Sequence, residues 1–106
     1  MHEDPLVTVI LPVYNSPWLA EHAYFSAIHT KNITPFKMAI HDDGSDTFTK
    51  NRLTRIDGCS SDRTELYSRQ KNIGFIKTVN SALLKCPTRY ALILNSDVVL
   101  GDYWLD

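Results

Sequence analysis

The sequence is short of the residues that build specialised scaffolds. It has two cysteines in 106 residues, Cys59 and Cys86. They lack CxxC spacing and are too few for a disulfide framework, so two reduced thiols in a cytoplasmic protein are expected. The four glycines form neither GxGxxG nor a GxxxxGK loop, so a cradle of backbone N–H groups for phosphate is not indicated. An excess of one charge is missing too: 11 Lys and Arg against 12 Asp and Glu leave a net charge of −1. That excludes a nucleic-acid module working by bulk charge. The longest purely apolar run, Tyr90 to Leu94, falls far short of the ~20 residues that cross a bilayer. The opening Met1-His2-Glu3-Asp4-Pro5 is polar and acidic, unlike a secretory signal. Without such a signal the glycosylation pattern Asn32-Ile33-Thr34 carries no weight.

What is present is the composition of a folded globule, 43% apolar and 22% charged. The length is that of one domain with one modest core. Leu6 to Leu11 is a β-branched run with little alternation, as in a strand covered on both faces, and Pro12 is expected to end it. Ser16-Pro17 fits an N-cap and first helical position, opening a helix over Trp18 to Thr30. Phe36 to His41 reads as a second strand and Asp42 to Asp46 as a polar turn. A short helix over Thr47 to Ile56 follows, capped by Ser45 or Asp46, then a polar loop from Asp57 to Arg63. Glu65 to Ser68 reads as a third strand. Phe75, Val79, Ala82, Leu83 and Cys86 form the best helical stripe in the chain, and Pro87 stops it. Arg89 to Leu94 is a fourth strand, Asn95 to Asp97 its exit turn, and Val98 to Leu100 a further extended piece.

The order β-α-β-α-β-α-β predicts an α/β fold: a Rossmann-like parallel sheet of about four strands with helices on both faces. Ligands of such sheets bind outside the carboxyl ends of the strands. There the sequence places Pro12, Tyr14 and Asn15, then Asp42 and Asp43, then Arg69, Lys71 and Asn72, then Asn95 and Asp97. Turn chemistry alone accounts for any one of these; their convergence on one edge points to a site. Three carboxylates call for a donor-rich ligand or a hard cation bridging to phosphate. A nucleotide suits both, with Tyr14 able to stack on its base.

These residues carry a resemblance. Val7 to Asn15 (VTVILPVYN), Phe36 to Ser45 (FKMAIHDDGS), Asn72-Ile73-Gly74 with Asn80, Tyr90 to Asp97 (YALILNSD) and Gly101 to Leu105 follow one another as in the N-terminal part of a family 2 glycosyltransferase of GT-A fold. The resemblance spans nearly the whole chain. The NSD turn is most similar to the subfamily that makes rhamnan-like and other surface polysaccharides. It implies a single nucleotide-diphospho-sugar-binding domain over residues 1–106, a truncated GT-A fold and part of a longer enzyme. It implies that Pro12 and Tyr14 line the nucleobase pocket with Asn15 in the same turn. Asp43 accepts from the base and Asp42 lies beside it, while Lys77 reaches the phosphates. Asn95 faces the ribose or sugar with Ser96 next to it, and Asp97 ligates Mn²⁺ or Mg²⁺. The implied reaction is inverting transfer from a nucleotide sugar to a hydroxyl of a glycan or lipid-linked acceptor, in the cytoplasm or at the cytoplasmic membrane surface.

Asn95 stands where the usual D-x-D turn has its first aspartate, which removes one charge from the cation site. The family's catalytic base lies well downstream of that turn, and Asp102 and Asp106 are too close to it to serve. Two other readings compete. A phospho-acceptor receiver domain needs its acidic pair after the first strand, whereas here it follows the second. A non-catalytic nucleotide- or partner-binding module would self-associate through its open sheet edge, and exposed apolar surface left by the truncation favours a homo-oligomer. Among the remaining residues, His41 reads as a packed or capping histidine and His2, His22 and His29 as surface. Trp18 and Trp104 read as core or rim aromatics, with Trp104 placed just past the metal turn. Arg52, Arg55 and Arg63 read as a solvated face.

Overall fold

The computed structural model describes residues 5–30, 32–59, 63–98 and 100–106, with the backbone alone at 57–59. The expectations for His2 and for the Cys59 side chain lie outside the described residues, and the piece from Val98 to Leu100 lies partly outside them. Seven elements alternate: β1 (Val7–Val13), α1 (Pro17–His29), β2 (Phe36–Asp42), α2 (Thr47–Cys59), β3 (Thr64–Ser68), α3 (Phe75–Lys85) and β4 (Tyr90–Ile93). The sheet order is β3-β2-β1-β4, and every pair is parallel.

The two central strands explain their own composition. All seven residues of β1 are buried, so an uninterrupted apolar run is what the position requires. Val7, Val9, Leu11 and Val13 join Phe36, Met38 and Ile40 in one core with Ala20, Ala23, Tyr24 and Ala27 of α1 and Leu53 and Ile56 of α2. The small residues of α1 recur at helical spacing, which brings its backbone close to the sheet. Tyr24 is fully buried, and its hydroxyl meets Thr64 Oγ1 at 2.8 Å, tying α1 to β3.

Right-handed crossovers set the faces. The first two connections step the same way across the sheet, so α1 and α2 share a face and touch each other. The third returns past β1 to β4, so α3 lies on the opposite face, against β1 and β2. The winding reverses between β1 and β4, and a crevice opens there at the strands' carboxyl ends.

Several expectations shift. β1 runs through Pro12 to Val13. Ile10 O accepts Leu94 N–H at 2.8 Å, and Pro12, two residues on, faces the same neighbour beyond the end of β4. Its missing N–H therefore breaks no ladder bond. Ser16 is the N-cap of α1 with Pro17 following, but its hydroxyl donates back to Tyr14 O at 3.2 Å. Helix α2 continues to Cys59, and Asp46 caps it by accepting Thr49 N–H at 2.8 Å. The stripe of α3 is rotated from the expected one: Thr78 and Ala82 are buried, whereas Phe75 and Leu83 are exposed. β4 is the last strand on that side, so among the described residues no sheet lies beyond it to cover them.

After β4 the chain turns at 95–98 and straps down α1 towards the opposite end of the sheet. Leu100 N–H donates to Ser26 Oγ at 3.0 Å, and Trp104 Nε1–H donates to Thr30 Oγ1 at 2.8 Å. Trp104 packs edge-on against Phe36, the first residue of β2. The Asp106 carboxylate accepts Ile33 and Thr34 N–H at 2.6 and 2.9 Å. Trp104 and Asp106 thus stand at the amino end of the strands, away from the crevice.

Candidate donor-binding site

The crevice holds a cavity of about 490 Å³ lined by Pro12 and Val13 at the end of β1 with Tyr14 after it, Asp43 after β2, Asn72 before α3, Phe75 and Thr78 in its first turn, and Asn95, Ser96 and Asp97 after β4, with Leu19 of α1 at its side. Six of the nine site residues that the resemblance implies therefore converge: Pro12, Tyr14, Asp43, Asn95, Ser96 and Asp97. Three do not line the cavity. Lys77 is exposed on α3. Asn15 holds two turns together: its N–H donates to Ser45 Oγ at 3.0 Å and its Oδ1 accepts Asp46 N–H at 2.7 Å. Its φ of 50° is one that asparagine tolerates.

Asp42 is the third. It is 1% exposed and points into the protein, where Oδ2 accepts Lys50 Nζ at 2.6 Å and Ser68 Oγ at 2.8 Å and Oδ1 accepts Ser45 N–H at 3.0 Å. Lys50 also donates to Ser68 Oγ and Arg69 O. Burial alone would push the Asp42 carboxyl up, but the hydrogen bonds from Lys50, Ser45 and Ser68 outweigh it and hold it below the ordinary carboxylate range. The two adjacent aspartates, identical as letters, thus have opposite tasks. One locks the ends of β2, β3 and α2 together, and the other lines the cavity.

Asp43 is itself held. Its Oδ1 accepts Ile73 N–H at 2.8 Å, and its Oδ2 accepts Gly74 N–H and Asn72 Nδ2, both at 2.9 Å. Gly44 makes this possible. Its φ is +74°, and a Cβ there would lie 2.3 Å from Asn72 N and 2.4 Å from Lys71 C. Only glycine lets the turn after β2 press against the 71–72 peptide. The Asn72-Ile73-Gly74 turn was legible in the sequence, but its task of gripping Asp43 was not.

Behind the site, on the α3 face, His41 stacks on Tyr67 at 4.6 Å with Lys85 over the Tyr67 ring. Burial, then the charges of Lys85 and Arg69, lower the His41 pKa to about 4, against a smaller opposing pull from Glu65. The Tyr67 hydroxyl donates to Glu65, which raises its pKa to about 12. His41 is a packed histidine, as its place in the sequence suggested. Arg52 is not merely solvated: it forks onto Glu21 at 2.6 and 2.8 Å and lies over Trp18. Arg63 likewise covers Phe36.

No group of three or more His, Cys, Asp and Glu that could hold a metal occurs among the described residues. Oxygen donors are available at the cavity from Asp97 and Asn95. One carboxylate plus a phosphate-bearing ligand is a donor set that suits a hard cation such as Mg²⁺.

Residues 8–106 match the family model of glycosyl transferase family 2. The chain belongs to that family. An uncharacterised glycosyltransferase of Haemophilus influenzae is 26% identical over 106 residues, which are all of this chain and 32% of that protein. Among solved structures, the mannosyltransferase PcManGT of Pyrobaculum calidifontis, in complex with GDP-Man and Mn²⁺, superposes with a TM-score of 0.79 at 23% identity, over 92% of this chain and 29% of its own. S. aureus TarS 1-349 in complex with UDP gives 0.76 at 23% identity, over 93% and 29%. The chain therefore spans about a third of the length of these relatives, and its fold is that of their GT-A part.

Proposed function

We propose that this family 2 chain is the donor-binding part of a glycosyltransferase that moves a sugar from a nucleoside diphosphate sugar to an acceptor hydroxyl with inversion, in polysaccharide or surface-glycan synthesis on the cytoplasmic side. The observation that carries the reading is the convergence of Tyr14, Asp43, Asn95 and Asp97 on one cavity where the sheet's winding reverses. An ionised carboxylate offers about four acceptor positions, and three of Asp43's are taken within the chain. The remaining one, on Oδ1, is for a base N–H. Tyr14, half exposed on the rim, offers a ring face to the base, and Asn95 offers an amide to the ribose or sugar.

Asp97, assisted by Asn95, would hold a divalent cation, which when bound offsets the charge of the departing diphosphate. In the reaction the acceptor oxygen bonds to the anomeric carbon as the bond from that carbon to the diphosphate breaks. The hydroxyl proton goes to a base. Asp43 is occupied and Asp106 is bound at the far end of the sheet, so the proposal assigns that base to the part of the longer relatives that this chain does not span.

A heteronuclear NMR titration with UDP, GDP and dTDP, each with and without Mg²⁺ or Mn²⁺, tests the reading. Shifts at Tyr14, Asp43 and Asp97 with one nucleotide, stronger with metal and lost in Asp97→Asn, are expected. A well-folded spectrum unmoved by all three overturns it. A self-associating module without nucleotide chemistry would then lead, a reading favoured by the exposed Ile76, Leu84 and Tyr90.

A further inference from the structure

The cavity is lined by a second aromatic residue besides Tyr14, Phe75 of α3. Phe75 is 56% exposed, although it lies on the side of the helix that meets the sheet. Thr78 and Ala82, which are buried, follow it at i+3 and i+7 and so project from that same side. No strand beyond β4 shields Phe75, and its place along the helix adds a second reason for its exposure. Helix α3 runs against the direction of the strands, so its first turn stands at their carboxyl ends. Gly74, just before that turn, gives its N–H to Asp43 Oδ2 at 2.9 Å, and Asp43 is the residue after β2. Helical side chains lean towards the helix N-terminus. Phe75 therefore leans past the strand ends and over the crevice, whereas Ala82, two turns further along, is buried.

We propose that Phe75 is the second stacking wall of the donor site: the nucleobase lies between the Phe75 ring and Tyr14, with its edge towards Asp43. This rests on the donor-binding reading above. Tyr14 stands in the turn that leads into α1, and α1 and α3 lie on opposite faces of the sheet. Tyr14 and Leu19 therefore line the cavity from the α1 side and Phe75 from the α3 side. The chemistry of the wall selects its occupant. The face of an aromatic ring is negative, which disfavours a phosphate there. A sugar's hydroxyls find polar partners at the Asn95–Asp97 turn after β4, whereas Phe75 is next in sequence to Gly74, which is bonded to Asp43. A flat, neutral base has a π-face for the ring and an N–H for the open acceptor position on Asp43. Stacking accepts any base, so Phe75 supplies affinity and Asp43 supplies selection.

The test compares wild type, Phe75→Leu and Phe75→Tyr by calorimetric titration with UDP, GDP, dTDP, CDP and ADP in Mg²⁺, with thermal unfolding of each free protein. Phe75→Leu keeps an apolar side chain and removes the ring. Because the residue is exposed, it is expected to melt within about 3 °C of wild type. It is expected to bind the preferred nucleotide about fivefold to tenfold more weakly and to keep the order of preference among the five. Phe75→Tyr, which retains the ring, should bind within about twofold of wild type. The corresponding monophosphate should lose as much as the diphosphate, since the contact is with the base. In proton NMR of the bound nucleotide, the base protons should move upfield in wild type and Phe75→Tyr, and less in Phe75→Leu. Equal binding by wild type and Phe75→Leu overturns the assignment and leaves the donor site standing, as does a loss confined to the diphosphate. If wild type binds none of the five nucleotides, the donor-binding reading itself fails, and the role of Phe75 falls with it.

Discussion

The Asp43 carboxylate accepts the backbone N–H of Gly74 at 2.9 Å, across 31 residues of chain. With Ile73 N–H and Asn72 Nδ2 on the same carboxylate, the turn after β2 grips the turn before α3, and one cavity wall is built from both. Replacing Asp43 with Asn puts an NH₂ either against Ile73 N–H or against Gly74 N–H and Asn72 Nδ2. That leaves donors facing donors at a cost of about 1–3 kcal/mol. We expect Asp43→Asn to lower urea-unfolding stability by this amount and to abolish nucleotide shifts in the NMR titration. Wild-type stability in the variant would show that the grip is dispensable.

Gly44 is the second half of that grip. Alanine there meets the 71–72 peptide at 2.3–2.4 Å and must adopt a φ of +74°, so either the backbone strains or the turns separate. Gly44→Ala is expected to cost about 2 kcal/mol or more. Hydrogen exchange should locate the damage, with faster exchange at Ile73 and Gly74 than at β1. Uniform change across the sheet would contradict a local cause.

His41 makes the fold sensitive to acid. Its pKa in the fold is about 4, against 6.5 as the ordinary value. The unfolded chain therefore takes up a proton before the folded one does. Stability is full above pH 6.5, falls as the pH drops through the window from 6.5 to about 4, and levels off for this group below it. We expect about 1–2 kcal/mol, with solvent screening included. The carboxyl of Asp42, held below its ordinary range, adds a further loss below that window, as pH falls from the ordinary value through the folded one. Denaturant titrations at pH 7, 5.5 and 4.5 measure the His41 part, and His41→Phe should flatten it. An unflattened profile would assign the acid sensitivity elsewhere.

Among the described residues nothing covers this face of α3 or pairs with the outer edge of β4. Leu84 is 89% and Ile76 73% exposed, with Tyr90 and Ile93 beside the free edge. Apolar surface next to an unpaired strand favours self-association. Sedimentation should show a concentration-dependent rise in mass, reduced in Ile76→Glu/Leu84→Glu. A monomer at high concentration that binds no apolar dye would refute this.

Much of the fold could be read from the sequence because the signals are local. The β-branched run of β1, Pro17 at the head of α1, the Asp46 cap and the Pro87 stop each act through the backbone beside them. The order of those signals implies a parallel sheet, and hence where a ligand binds. The misreadings arose where a neighbour distant in sequence decides. Pro12 stays within β1 because β4 has already ended beside it. The α3 stripe is rotated because, among the described residues, no strand lies beyond β4 to cover it. Trp104 lies far from the Asp97 turn because the strap runs down α1.

The α/β class, the positions of the turns and the residue types at the strand ends follow from local sequence, since propensity and periodicity are properties of short segments. Contacts between distant segments decided that Asp42 turns inward onto Lys50 and Ser68, that Asn15 joins two turns, and that Gly44 must be glycine. The cause is common to all three. Each depends on which donor, acceptor or backbone atom another segment brings within hydrogen-bond or van der Waals distance, and no local pattern records that approach.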